Sequence, residues 1–173
     1  MTDTHGTDKQ KQAPAELIHN GEYSDRRWVE MMAGHHAMAV EMAKVALDRA
    51  KHADLKKFAE DVIDAQNEEI EKLKALHADV DGQGDLPTQP HPGERSMFGM
   101  LSVKELKKVD EFDKEFIDSQ LPHHATAIEM AAVAVQQSSH KDIQKLAHKI
   151  IDAQCKEIGK MIDWRHDWFG KMA

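Results

Sequence analysis

The residues with the most chemistry to offer lie in Met31-Met32-Ala33-Gly34-His35-His36-Ala37-Met38-Ala39-Val40-Glu41-Met42, where two adjacent histidines stand among four methionines. On a helix, Met31 and His35 are four apart, as are Met32 and His36, while His35 and Met38 are three apart. Each pair therefore shares one helix face within reach of a single ion. Thioether and imidazole together make a soft donor set that selects Cu(I), whereas hard cations prefer carboxylate oxygen. Met42 would lie about 10 Å from His35 along the axis, so it reaches the same ion only with Met38 between them, or serves a second ion. The competing reading is plainer: the histidines are hydrogen-bonded core residues and the methionines are apolar filler.

The layout returns at Ser119-Gln120-Leu121-Pro122-His123-His124-Ala125-Thr126-Ala127-Ile128-Glu129-Met130. Roughly half the positions from His35 to Ile70 are identical to those from His123 to Ile158 without a gap, which marks an internal repeat. The copies differ in donors, because Met31, Met32 and Met38 correspond to Ser119, Gln120 and Thr126. A second site around His123, His124 and Met130 should therefore be the weaker one. Asp64-Ala65-Gln66 with Glu69 likewise recurs as Asp152-Ala153-Gln154 with Glu157. If each hairpin is antiparallel, Gln66, Glu69, Gln154 and Glu157 come level with the histidines and can orient the imidazoles by hydrogen bonding. A plain buried hydrogen-bond network is the alternative. Glu41 and Glu129 fall outside the apolar arc and read as surface residues.

Other chemistries lack their residues. The four long helical segments hold no Glu-x-x-His spacing of the kind di-iron bundles use, and the chain has no HExxH, P-loop or GxSxG. Cys155 is the only cysteine, so no intramolecular disulfide or Cys-based zinc site is available. No nucleophile and base are paired by spacing, and no enzyme is expected.

The elements that must position these residues follow from the hydrophobic period. From Arg27 to about Lys51-His52, Trp28, Met31, Met32, Ala39, Met42, Ala43, Val45, Ala46 and Leu47 share one broad arc with His35, while Glu30, Lys44 and Asp48 lie opposite. Asp54 reads as the N-cap of a second helix from Leu55 to about Ala78, with Gln66 in the middle of its apolar stripe. The short connection makes the two antiparallel neighbours. A Gly- and Pro-rich linker over 79–111 carries Ser102-Val103-Lys104-Glu105, a capping box that should open a short helix. A third long helix from Phe112 to Ser139 and a fourth, capped by Asp142 and running towards Phe169, repeat the hairpin. Gly34 and Pro122 precede the paired histidines at matching places and predict a kink or restart in each hairpin. His77 and His166, near helix ends, read as solvated. Trp164, Trp168 and Phe169 read as the cover of one end of the bundle.

The expected architecture is all-α: a single domain over 27–170, with hairpin repeats at 27–78 and 112–170, behind a flexible polar tail at 1–26. A chain of 173 residues can bury a real core. Its net charge of −8 argues against nucleic acid or anionic lipid as partners. The longest apolar run, Met130 to Val135, falls far short of the roughly 20 residues needed to span a bilayer. The N-terminus has no apolar leader, so a cytoplasmic location is expected as written, with a periplasmic or secreted one if a leader was removed. A metal ion is the expected partner, and self-association into a homo-oligomer stays open.

These motifs resemble the bacterial domain of unknown function 305 family. The resemblance rests on Phe116-Ile117, His123-His124, Ala127-Ile128-Glu129-Met130-Ala131 and Gln154 with Glu157-Ile158 in one copy. In the other it rests on Met32, His35-His36, Ala39-Val40-Glu41-Met42-Ala43 and Gln66 with Glu69-Ile70. The lead-in Gly99-Met100-Leu101-Ser102, then Glu111-Phe112-Asp113, also fits, and coverage runs from about Arg27 to Trp168. The resemblance implies a ferritin-like four-helix bundle of two tandem hairpins, and some relatives are linked to copper binding and copper tolerance through Met and His. Many members are secreted or periplasmic. This chain departs in lacking a leader and in having Ser119-Gln120 where a Met is expected.

The leading expectation is a non-enzymatic bundle that sequesters Cu(I) at Met31, Met32, His35, His36, Met38 and Met42, with a weaker site around His123, His124 and Met130. The rival is a metal-free helical interaction module whose histidines are structural.

Overall fold

In the computed structural model the described residues are 13–91 and 93–170, without the side chain of His19. Four long helices dominate: α2 (Asp25–Arg49), α3 (Ala53–Asp79), α5 (Phe112–Gln137) and α6 (Lys141–Phe169). Two short helices, α1 (Ala13–Glu16) and α4 (Val103–Leu106), and a two-residue ladder pairing β1 (Ile18–His19) with β2 (Glu22–Tyr23) complete the described elements. The fold is all-α in its core. Helix α2 packs on α3 and α5 on α6, and the hairpins meet where α2 lies on α5. No helix among the described residues is long and apolar enough to cross a membrane.

Sequence order along each helix gives the core its layering. One apolar cluster holds Trp28, Met31 and Met32 of α2, Leu73 and Leu76 of α3, Ala127 and Met130 of α5, and Ile143 to Ile150 of α6. The other holds Ala39, Met42 and Ala46, Leu55 to Val62, Phe116 and Ile117, and Met161. Between these stretches each helix places polar residues that are nonetheless buried: His35 and His36, Gln66, Gln120 with His123 and His124, and Gln154. A polar waist thus divides an apolar core, which is costly unless its groups find partners.

Several expectations need correction. The flexible tail at 1–26 does not extend to its end: Ala13 and Leu17 are buried, α1 lies against α5, and β1 and β2 turn back through Asn20 and Gly21, both at positive φ. Few apolar residues suffice there because α5 supplies the surface they cover. Residues 1–12 lie outside the described residues. Helices α2 and α5 run unbroken through Gly34 and Pro122, since tertiary packing on both sides outweighs the local weakness of either residue. Asp54 and Asp142 sit in first turns rather than at N-caps, which are His52 and His140.

The true cap at the first hairpin comes from the other one. Asp113 accepts from the backbone N–H of Lys51 at 3.0 Å and of His52 at 2.9 Å, and from His52 Nδ1 at 2.6 Å. It thereby satisfies amides that open α3. The capping box is present as expected, with Ser102 and Glu105 bonded reciprocally at the start of α4. The linker lies tightly on the bundle. A Cβ on Gly34 would stand 3.1 Å from Pro90 Cα, so glycine is what lets the linker backbone cross α2 there.

Candidate metal centre

Two of the four waist histidines meet on the seam between the hairpins. His35 of α2 and His123 of α5 stack with ring centroids 3.5 Å apart, and His35 Nε2 donates to the His123 carbonyl oxygen at 2.8 Å. Both are wholly buried. Burial therefore holds each well below its ordinary value, and His36 beside His35 and His35 beside His123 push the same way. Both rings are kept neutral, the form that can donate a lone pair to a metal.

The neighbouring histidines turn outward to the second helix of their own hairpin. His36 Nε2 meets Glu69 Oε2 at 2.8 Å, and His124 Nε2 meets Glu157 Oε2 at 2.7 Å. The expectation that these glutamates come level with the histidines is met in both copies. Gln66 and Gln154 are buried at the same level, but neither holds an imidazole in place: Gln66 Oε1 and both polar atoms of Gln154 lack a partner.

The copies differ at the other ring nitrogen. His36 Nδ1 is buried without a partner, whereas His124 Nδ1 faces the Gln120 carbonyl oxygen at 3.0 Å. His35 Nδ1 and both nitrogens of His123 are also unpartnered. A carboxylate on one nitrogen and a free second nitrogen is the arrangement that orients a metal-binding imidazole. His36 has it and His124 does not.

The methionines distribute unevenly around this waist. Met31, Met32, Met38 and Met130 belong to one apolar cluster, while Met42 lies in the other. Of the residues that replace methionine in the second copy, Ser119 and Thr126 are used structurally, while the buried Gln120 side chain has no hydrogen-bond partner. Ser119 Oγ accepts from Leu101 N at 3.0 Å, and Thr126 Oγ1 donates to the Pro122 carbonyl oxygen at 3.0 Å. Glu41 is half-buried and Glu129 exposed. Among the described residues no three His, Cys, Asp or Glu side chains converge into a cage.

The linker brings residues that sequence reasoning missed. Phe98 is fully buried with its ring edge-on to His35, centroids 5.0 Å apart, and Met97 and Met100 on either side pack partly buried against the core. Met100 sits in the Gly99-Met100-Leu101-Ser102 lead-in, the signal that could have found it. His77 is buried against Glu30 at 3.4 Å rather than solvated, while His166 is exposed as expected.

The chain as a whole is similar to proteins of known structure. A solved structure of CopM in the Cu(II)-bound form is 32% identical with a TM-score of 0.78, covering 86% of this chain and 99% of that one. CopM in the Cu(I)-bound form is 31% identical with a TM-score of 0.76, covering 86% of this chain and 100% of that one. A DUF305 fragment from Deinococcus radiodurans, 24% identical with a TM-score of 0.70, covers 80% of this chain and 92% of its own and shares the fold. No curated protein sequence matches the chain. The sequence profile described as "Domain of unknown function (DUF305)" matches residues 25–165. That match over most of its length places the chain in the DUF305 family.

Proposed function

We propose that this protein binds copper without catalysing a reaction, holding Cu(I) through His35 and His36 with thioether sulfur from Met31 and Met32 and support from Met38 and Met42. The observation that carries this reading is the set of buried imidazole nitrogens with no partner: His35 Nδ1, His36 Nδ1 and both nitrogens of His123. A buried polar atom left unpaired costs roughly 1–3 kcal/mol, so several in one layer call for a ligand. Their neutral state and the thioethers in the adjoining cluster suit a soft monovalent ion. The likeness to CopM, solved in Cu(I)-, Cu(II)- and silver-bound forms, supports the choice of metal.

The second copy contributes less. His124 is engaged at both nitrogens and its helix carries no counterpart of Met31 or Met32, so His123 and Met130 add to a single asymmetric centre or form a weak second one. The test is anaerobic Cu(I) titration against a chromophoric chelator. The native chain is compared with folded His35→Ala/His36→Ala and His123→Ala/His124→Ala variants. The expected result is tight uptake lost mainly in the first variant. A folded native chain that cannot compete with the chelator at all would make the histidines structural and the protein a metal-free interaction module.

A further inference from the structure

His35, His36, His123 and His124 have no exposed surface, so an ion can reach them only if part of the cover moves. Most of that cover is long helix, whose backbone bonds are internal and open only at high cost. The exception is the linker turn over Gly93–Met100. It places Phe98 edge-on against His35 and is a run of hydrogen-bonded turns with no regular helix or strand.

Resting on the copper reading above, we propose that this turn is the gate through which a soft cation enters. Phe98 is its plug and the Arg27–Glu94 pair its latch. Glu94 is buried, and its Oε1 lies 2.6 Å from Arg27 of α2, an arginine that still reaches solvent. Its Oε2 accepts from His91 N at 2.8 Å, and its carbonyl accepts from Phe98 N at 3.1 Å. Glu94 thus ties the turn to α2 through its carboxylate and holds the residue that carries the plug through its backbone carbonyl. Beyond Phe98, Gly99 has φ +73°, and its missing Cβ leaves room for Pro122, since a Cβ added at Gly99 would stand 3.2 Å from Pro122 Cβ. The turn closes against α5 through Leu101 N and Ser119 Oγ at 3.0 Å.

The flanking residues suit passage of this ion. Met97 and Met100 are only partly buried, so their thioethers are the first soft donors an entering ion meets as the turn lifts. The hollow between α3 and α6 offers a poorer route, because its lining of Lys72, Lys145 and Lys149 with Asp79, Asp142 and apolar side chains holds no soft donor. The latch is an ion pair with one partner near solvent, so its loss frees the turn without touching a metal donor.

The experiment compares the native chain with Glu94→Gln, Phe98→Leu and Phe98→Ala, all checked for helical content and thermal midpoint. Stopped-flow transfer of Cu(I) from a chromophoric chelator gives uptake rates, and chelator competition gives equilibrium affinity. In parallel, diethyl pyrocarbonate modification of the metal-free proteins, located by peptide mass mapping, reports how often His35 is exposed. Uptake and release should both quicken about tenfold in Glu94→Gln and Phe98→Ala, less in Phe98→Leu, while affinity changes by less than about threefold. His35 modification should accelerate in step. Unchanged uptake and modification rates in folded Glu94→Gln and Phe98→Leu would overturn the gate while leaving the copper reading intact. A native chain that takes up no Cu(I) would defeat the copper reading alone, and the modification rates would still decide whether the turn controls access to His35.

Discussion

Replacing Glu69 with Gln removes a charge from the carboxylate that holds His36 Nε2 at 2.8 Å, and replacing Glu157 with Gln does the same to His124 at 2.7 Å. The two substitutions are near-isosteric, sit at matching places in the repeat and face equally buried rings. They should nonetheless differ in metal affinity. His36 keeps Nδ1 free as a donor, so loss of its orienting carboxylate should weaken Cu(I) about 10–100-fold, or about 1.4–2.7 kcal/mol. His124 has Nδ1 occupied by the Gln120 carbonyl, so Glu157→Gln should leave affinity within about twofold. Both should lower metal-free stability by about 1–3 kcal/mol, because each trades a charge-assisted hydrogen bond for a neutral one. Anaerobic chelator competition reads the first quantity and urea denaturation of the metal-free protein the second. Equal losses of affinity in the two variants, or a larger loss in Glu157→Gln, would refute the asymmetry argued from the ring nitrogens.

Acid should destabilise the metal-free protein through His35 and His123. Their folded pKa values lie below the ordinary imidazole value of 6.5, so below that pH the unfolded chain takes up protons that the folded chain refuses. Stability is thus present above about pH 6.5 and falls by about 1.4 kcal/mol per pH unit for each histidine as pH drops towards the folded values. The slope of urea stability against pH should flatten in a folded His35→Gln/His123→Gln variant, and an unchanged slope would contradict the burial argument. Pro122→Ala returns an N–H to the middle of α5 and should raise the thermal midpoint by a few degrees, while Gly34→Ala should not, because its new Cβ meets the Pro90 backbone at 3.1 Å. Trp28→Phe removes the bond from Nε1 to the Met130 carbonyl at 3.0 Å and leaves a void in a sealed cluster, at a cost of about 1–3 kcal/mol in urea denaturation.

Much of the fold was legible because it is written in periodic patterns. The four helices, the capping box at Ser102 and the level placement of Glu69 and Glu157 with the histidines all follow from spacing that a helix converts into a face. What was not legible depends on contacts between distant segments. Asp54 and Asp142 look like N-caps locally, but Asp113 supplies the first cap from another hairpin. Gly34 and Pro122 look like points of restart, yet α2 and α5 are continuous helix through them. Phe98 sits in a segment with no period at all, so nothing in its neighbourhood announces that it covers His35. Equivalence in the repeat also concealed a difference: His36 and His124 read alike until the Gln120 carbonyl is seen against His124 Nδ1.

The cap that Asp113 places on the turn between α2 and α3 also decides what can be cut from this molecule. A repeat invites excision, as if 27–78 were a module that could be grafted or expressed alone. Yet the amides of Lys51 and His52 are satisfied by a carboxylate from the other half, and Arg49 reaches across to the carbonyl oxygens of Leu106, Lys107 and Val109. Each half is the other's missing piece. Cleavage inside the linker should therefore yield two fragments that are poorly structured apart and reassemble on mixing, which makes the chain a natural starting point for a split reporter whose association reads the seam between the hairpins.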